Sequence, residues 1–231
     1  MLKVAAIVVS AGAGQRMGSD KTFLKLGDKP LIAWPVDVLQ NSKSIGSIIL
    51  VLQKDKLDMG RQMTTGRGWT KVSGICAGGE LRQDSVKNGL ALLADYDWVV
   101  IQDGARPFLT EKLIADGIEA AEPTGASAAA IEVKDTIKQV DGTGIVMQTL
   151  QRESLRAVQT PQVFRTAILK KAYDTFKSRV TDDAGIVELA GYKVKLYPGE
   201  YENIKVTTPE DLLLAEMIAR KRVNHENGDR V

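Results

Sequence analysis

Short apolar runs rich in β-branched side chains recur along the chain at residues 4–9, 48–52, 72–75, 98–101 and 128–133. They are continuous rather than alternating, which predicts strands covered on both faces, as in a parallel sheet. Between them the apolar spacing turns helical. One such segment opens at Pro30 and runs through about Gln40, a second is marked by Val86, Leu90 and Leu93, and a third by Leu113, Ile114 and Ile118. Strand alternating with helix predicts an α/β layered sheet. A last helix has a legible start, with Thr208 as N-cap, Pro209 at the first helical position, and Glu210 and Asp211 in the first turn. Arg220, Lys221 and Arg222 suit its carboxyl end and read as a solvated helix terminus.

One stretch breaks the alternation. Residues 134–151 present two β-prone arms around Asp141-Gly142-Thr143-Gly144, which predicts a hairpin. It either lies on the surface or reaches a partner subunit. No repeat or low-complexity linker interrupts the rest, so residues 1–231 read as one domain with 134–151 inserted as a β-arm.

Composition narrows the chemistry. The 231 residues carry 31 basic against 29 acidic side chains, a net charge of +2, which gives no reason to expect a nucleic-acid or membrane-surface partner. At 44% hydrophobic the chain has the means to fold rather than stay disordered. A single cysteine, Cys76, excludes a disulfide framework or a cysteine-cluster metal site and fits a cytoplasmic protein. His225 is the only histidine, so chemistry built on an imidazole is disfavoured. No apolar run reaches the roughly eighteen residues of a membrane span. Cys76 reads as a buried small hydrophobe, and Trp34, Trp69 and Trp98 as packing rather than base-stacking platforms.

The candidate chemistry starts after the first strand, in Ser10-Ala11-Gly12-Ala13-Gly14-Gln15-Arg16-Met17-Gly18-Ser19-Asp20-Lys21. Small residues leave backbone N–H groups bare enough to cradle phosphate oxygens, and Arg16 and Lys21 add positive charge there. A glycine-rich turn with surface cations would look the same, so the glycines alone leave both readings open. The dinucleotide fingerprint fails at Met17, and the P-loop pattern fails at Asp20.

An ordered set of further motifs decides the matter. Ala77-Gly78-Gly79-Glu80-x-Arg82-x-Asp84-Ser85-Val86, Asp103-Gly104-Ala105-Arg106-Pro107 and Lys134-Asp135-Thr136 follow the loop. Arg152, Gln159-Thr160-Pro161-Gln162, Thr181-Asp182-Asp183 and Asn203-Ile204-Lys205-Val206-Thr207 complete it. With Ala-Gly-x-Gly-x-Arg-Met-Gly after the first strand, the chain resembles the 2-C-methyl-D-erythritol 4-phosphate cytidylyltransferase family over nearly its whole length. The resemblance implies a single-domain, Rossmann-like nucleotidyltransferase fold, α/β with a mainly parallel central sheet and a protruding β-hairpin arm. It implies transfer of CMP from CTP to a sugar-alcohol phosphate, with release of pyrophosphate, in a homodimer.

Roles follow by resemblance. Ala11, Gly12, Ala13 and Gly14 would wrap the nucleotide phosphates, with Arg16 and Lys21 catalytic on their oxygens. Gly79 and Ser85 match the cytosine and ribose end. Asp103 would hold Mg²⁺, which accepts one or two carboxylates together with phosphate oxygens. Lys205 would stand between the reacting phosphates, and Arg106 and Thr181 would take the substrate phosphate. Asp135, Thr136 and Arg152 would complete the neighbouring subunit's pocket. The attacking phosphate oxygen is already largely ionised at neutral pH, so no general base is needed.

Two departures stand out. Where Pro-Lys-Gln is usual, this chain has Asp20-Lys21-Thr22 after a shortened spacer, which makes Lys25 a rival, although residues 23–30 keep the register for Lys21. Gln102-Asp103-Gly104 replaces His-Asp-Ala, which should preserve metal binding with altered surroundings. Ribitol-5-phosphate cytidylyltransferase, a molybdenum-cofactor nucleotidyltransferase and a non-catalytic nucleotide-binding regulator are the alternatives.

Overall fold

The computed structural model describes residues 2–12, 21–176 and 178–228, with the side chains of Lys21 and of residues 223–228 left out. Its elements run β1 (Val4–Ser10), β2 (Lys25–Leu26), β3 (Lys29–Pro30), α1 (Ala33–Asn41), β4 (Ile45–Leu52), α2 (Leu57–Arg67), β5 (Val72–Ala77), α3 (Arg82–Leu92) and β6 (Trp98–Asp103). The second half adds α4 (Glu111–Ala121), β7 (Ala126–Glu132), β8 (Lys138–Val140), β9 (Val146–Thr149), β10 (Arg156–Arg165), α5 (Thr166–Thr175), α6 (Asp183–Leu189), β11 (Lys195–Pro198) and α7 (Pro209–Gly228).

Seven strands form one sheet in the order β11-β7-β10-β6-β1-β4-β5. All neighbours are parallel except β10, which runs antiparallel to both β6 and β7. The continuous apolar runs are explained by burial on two faces: Val4–Val8 and Trp98–Ile101 are nearly or wholly inaccessible. One layer packs α1 and α4 beneath Ala6, Val8, Ile48 and Val100. The other places α3, α5 and α6 over Ala5, Ile7, Ile49 and Val99. The mainly parallel α/β sheet is therefore as the hydrophobic pattern predicts.

The chain leaves β1 toward β4 on one side and returns through β5 to β6 on the other. The carboxyl ends of β1 and β6 thus flank a topological switch point, where parallel α/β sheets collect ligands. Val9 is in register with Asp103 at that edge.

Several boundaries differ from the sequence pattern. Pro30 does not open α1; it pairs with Lys25 in a two-stranded ribbon turned by Gly27 at φ +65°. The helix begins at Ala33. The arm pairs only over β8 and β9. Its bend is organised by Asp141, whose carboxylate accepts from the Thr143 amide and hydroxyl and the Ile145 amide, while Gly144 takes φ +89°. Helix α7 continues past the basic triplet to Gly228. Lys221 reaches Glu202 at 2.8 Å, and Arg222 reaches Glu200 and Glu202. Arg220 and Lys221 stay mostly exposed, as a solvated helix surface would, while Lys221 and Arg222 also hold the loop that follows β11. Among the described residues no helix is long and apolar enough to cross a membrane.

Candidate active site

A cleft of about 440 Å³ opens at the switch point. It is lined by the residues that follow β1 (Ser10, Ala11, Gly12), by the β5–α3 turn and first helical residues (Gly79 to Arg82, Ser85), by Asp103 and Ala105, and by Lys205 and Thr207. Six of the sequence-predicted site residues therefore line this one cleft: Ala11, Gly12, Gly79, Ser85, Asp103 and Lys205.

Close approach explains the glycines. A Cβ on Gly104 would lie 2.8 Å from Ser10 Oγ and 2.9 Å from Ser10 Cβ, so only glycine lets the end of β6 abut the end of β1. The Gly104 amide donates to Val9 O at 2.9 Å. At Gly78 a Cβ would collide with Ala11 and Ser85. The Ser85 hydroxyl accepts from the Gly79 amide and donates to Leu81 O, fixing the turn that opens α3. Asp84 accepts from the Leu81 amide at 3.1 Å.

Asp103 is the electrostatic centre. Its carboxylate meets Lys205 Nζ at 2.7 Å, Arg82 Nε at 3.1 Å and Arg106 Nε at 4.0 Å. Burial alone would raise its pKa, but Arg82, then Lys205 and Arg106, outweigh that and hold it well below the usual carboxylate range. It is a fixed negative charge. Its amide donates to Thr160 Oγ1 rather than to the sheet ladder, because β10 is irregular between Val158 and Gln162 and pairs with β6 only from Gln162 onward.

Lys205 arrives on an irregular segment after β11, pinned at both ends. The Val206 amide donates to Ala105 O, Arg106 Nη1 donates to Asn203 O at 2.7 Å, and Asn203 Nδ2 donates to Thr160 O at 2.8 Å. Gln159-Thr160-Pro161-Gln162 and Asn203 are thus the scaffold that brings a late cation to an early carboxylate.

Other assignments separate. Arg106 is largely buried beside Asp103, and burial lowers its pKa against the opposing pull of that carboxylate. Asp135, Thr136, Arg152 and Thr181 are exposed and line no part of this cleft. Arg152 Nη1 donates to Lys134 O at the base of the arm. Ala13, Gly14 and Arg16 lie outside the described residues, as does the Lys21 side chain. The Lys21 backbone belongs to a short 3₁₀ turn, Lys21–Phe23, tied to β1 by the Thr22 hydroxyl on Ser10 O at 3.0 Å. Lys25 instead borders a separate cleft with Trp34 and α7, so the rival to Lys21 stands away from Asp103. Gln102 does not touch the Asp103 carboxylate. From the core it donates to Asp103 O and Arg106 O, bracing the turn.

Two residues of the motifs had no role assigned from sequence. Arg82 donates through Nε to Asp103 and through Nη1 to Asp183 Oδ2 at 2.6 Å. Asp183 is wholly buried and also accepts from the Tyr173 hydroxyl. A charged residue at the first position of a short helix gives no sequence sign that its partner comes from α3.

Cations gathered around one buried carboxylate, at the switch point of a mainly parallel α/β sheet, suit a site for a phosphorylated ligand of some kind. The comparisons specify which kind. A family model described as IspD, 2-C-methyl-D-erythritol 4-phosphate cytidylyltransferase, matches residues 4–221, and the chain belongs to that family. A protein of that name from Dehalococcoides mccartyi is 47% identical over 220 residues, covering 95% of this chain and 97% of the relative. One from Clostridium perfringens is 45% identical over 221 residues, covering 94% and 98%. Among solved structures, 4-diphosphocytidyl-2C-methyl-D-erythritol synthase from Anaerococcus prevotii superposes with a TM-score of 0.84 at 30% identity, covering 95% of this chain and 96% of that one. The Thermus thermophilus 2-C-methyl-D-erythritol 4-phosphate cytidylyltransferase gives 0.78 at 30% identity, covering 95% and 100%.

Proposed function

We propose that this protein transfers CMP from CTP to 2-C-methyl-D-erythritol 4-phosphate, giving 4-diphosphocytidyl-2-C-methyl-D-erythritol and pyrophosphate, a step of isoprenoid precursor synthesis in the cytoplasm. The observation that carries the reading is the convergence of Ala11, Gly12, Gly79, Ser85, Asp103 and Lys205 on one cleft in a chain of this family.

The chemical task is to bring two anions together and stabilise charge growing on the α-phosphate. The acceptor phosphate needs no general base, and among the described residues that line the cleft there is no histidine or cysteine. Gly79 and Ser85 receive the nucleoside end. The loop from Ala11 to Gly14, with Arg16 and Lys21, takes the triphosphate. Lys205, half-exposed on the cleft wall, neutralises the approaching phosphates, and Arg106 supports that charge from beneath.

The donor set fits a hard divalent cation. Among the described residues no three His, Cys, Asp or Glu side chains cluster, so an all-protein cage is absent there. One fully ionised carboxylate beside a triphosphate-sized cleft suits Mg²⁺, which takes its remaining ligands from phosphate and water. When bound it would supply Lewis-acid stabilisation of the phosphate oxygens, held by Asp103.

We also assign residues 1–231 to one domain with 134–151 as a dimer arm. Val140, Ile145, Val146 and Met147 expose apolar side chains on that ribbon, as a partner-covered surface would. Asp135, Thr136 and Arg152 then act in the partner's pocket together with its Thr181 equivalent.

Pyrophosphate release with each of the four nucleoside triphosphates, against methylerythritol phosphate and ribitol phosphate, with and without Mg²⁺, tests the reading. Turnover confined to CTP, methylerythritol phosphate and a divalent cation is the expected result. A preference for ribitol phosphate, or for GTP with a pterin, would replace it.

A further inference from the structure

Arg82 does not make a two-pronged pair with Asp103. It offers that carboxylate Nε at 3.1 Å and gives Nη1 to Asp183 at 2.6 Å, so one guanidinium is divided between two carboxylates. Asp183 is wholly buried, accepts the Tyr173 hydroxyl at 2.5 Å on its other oxygen, and sits in the first turn of α6. The preceding Asp182 is locked by Gln162 Nε2 at 2.7 Å and by the Gly185 amide. Asp183 therefore cannot follow Arg82 into the cleft; it holds Arg82 back. Around Asp103 stand three cations, and Asp183 is the second carboxylate that partly offsets them.

Resting on the functional reading above, we propose that Asp183 is a positioning residue that acts through Arg82 to keep Asp103 available to a divalent cation. With Asp183 neutral, the whole Arg82 charge falls on Asp103, and Coulomb repulsion in this poorly hydrated corner works against a second cation there. The same change makes the cleft more positive, so it favours a triphosphate. Metal and nucleotide affinities therefore move in opposite directions, whereas simple damage to the fold would weaken both.

The test measures Mn²⁺ binding by electron paramagnetic resonance in the presence of CTP without acceptor, and CTP binding by calorimetry without metal. For Asp183→Asn, Mn²⁺ affinity should fall by about tenfold while metal-free CTP binding is unchanged or tighter. Arg82→Met added to Asp183→Asn leaves neither charge unpaired; it should restore Mn²⁺ affinity to at least the parent value and weaken CTP. That double variant also carries the test if Asp183→Asn alone does not fold. Parallel loss of both affinities in Asp183→Asn, or Mn²⁺ binding in the double variant weaker than in the parent, would overturn the proposal. If the parent protein itself bound no Mn²⁺ with CTP, the functional reading would fall first and this inference with it.

Discussion

Lys205 Nζ lies 2.7 Å from Asp103 Oδ2, joining the segment after the last sheet strand to the carboxyl edge of β6. The pair is asymmetric. Asp103 is buried at 8% side-chain exposure, while Lys205 is 38% exposed and can turn toward an incoming phosphate. Replacing Lys205 by alanine should lower kcat by about 10²–10³-fold, the cost of removing one preorganised charge from a transition state. The fold should survive, because the segment is held by the Val206 amide on Ala105 O and by Asn203 on Thr160 O. Steady-state kinetics beside a melting curve check both halves, and a near-normal kcat would remove Lys205 from the chemistry.

Gly104 makes a different kind of prediction. A methyl group there meets Ser10 at 2.8–2.9 Å, a distance at which the end of β1 must move. Gly104→Ala should destabilise the protein by about 1–3 kcal/mol, as overpacking does. Because Ser10 leads into the phosphate loop, the Michaelis constant for CTP should rise with it. Denaturant unfolding and CTP titration of the same variant measure the two effects, and an unchanged Michaelis constant would separate Ser10 from nucleotide binding.

The same residues mark what sequence could and could not show. The parallel sheet was legible because β1, β4 and β6 are apolar on both faces, and a run of that kind has few alternatives. Strands β10 and β11 were not, since Arg156–Arg165 mixes exposed and buried positions and Lys195–Pro198 is short and mostly exposed. Helix α2 hid for the same reason: only Gly60 within it is buried. At the candidate site, motif order singles out Asp103 and Lys205, and the fold brings them within 2.7 Å of each other. Asp183 was not given a role, because its meaning comes from Arg82 reaching across from α3. Pattern along the chain reports which face is covered, but not which distant charge arrives there.

Asp211 links the start of α7 to pH. Burial pushes its pKa up, yet hydrogen bonds from the Thr207 hydroxyl and amide and the Thr208 amide prevail and lower it. A carboxyl lowered by folding stabilises above its unfolded value, near 3.9, and that stabilisation disappears as pH falls through the folded value. Asp211→Asn should therefore melt below the parent at pH 7, by an amount matching about 1 kcal/mol for a lost helix-start contact. The gap should close as pH falls through the lowered, folded-state value of Asp211. Melting temperatures across that range decide it; a gap constant with pH would mean that shape rather than charge holds the helix start.

The arm carries the last prediction. The Arg152 side chain is exposed, donates to Lys134 O and lies close to Glu153, and it lines no part of the cleft that contains Asp103 and Lys205. If it serves its own chain's site, Arg16→Ala and Arg152→Ala proteins remain inactive however they are mixed. If it serves a partner's site, a heterodimer of the two contains one pocket with both arginines intact. Mixed in equal amounts and allowed to exchange subunits, the two variants should then recover about a quarter of the parent activity, since half of the dimers are mixed and each has one of two sites restored. Subunit exchange is followed separately by a mass difference between the chains. Full exchange without recovery would overturn the assignment of Arg152 to a partner's pocket.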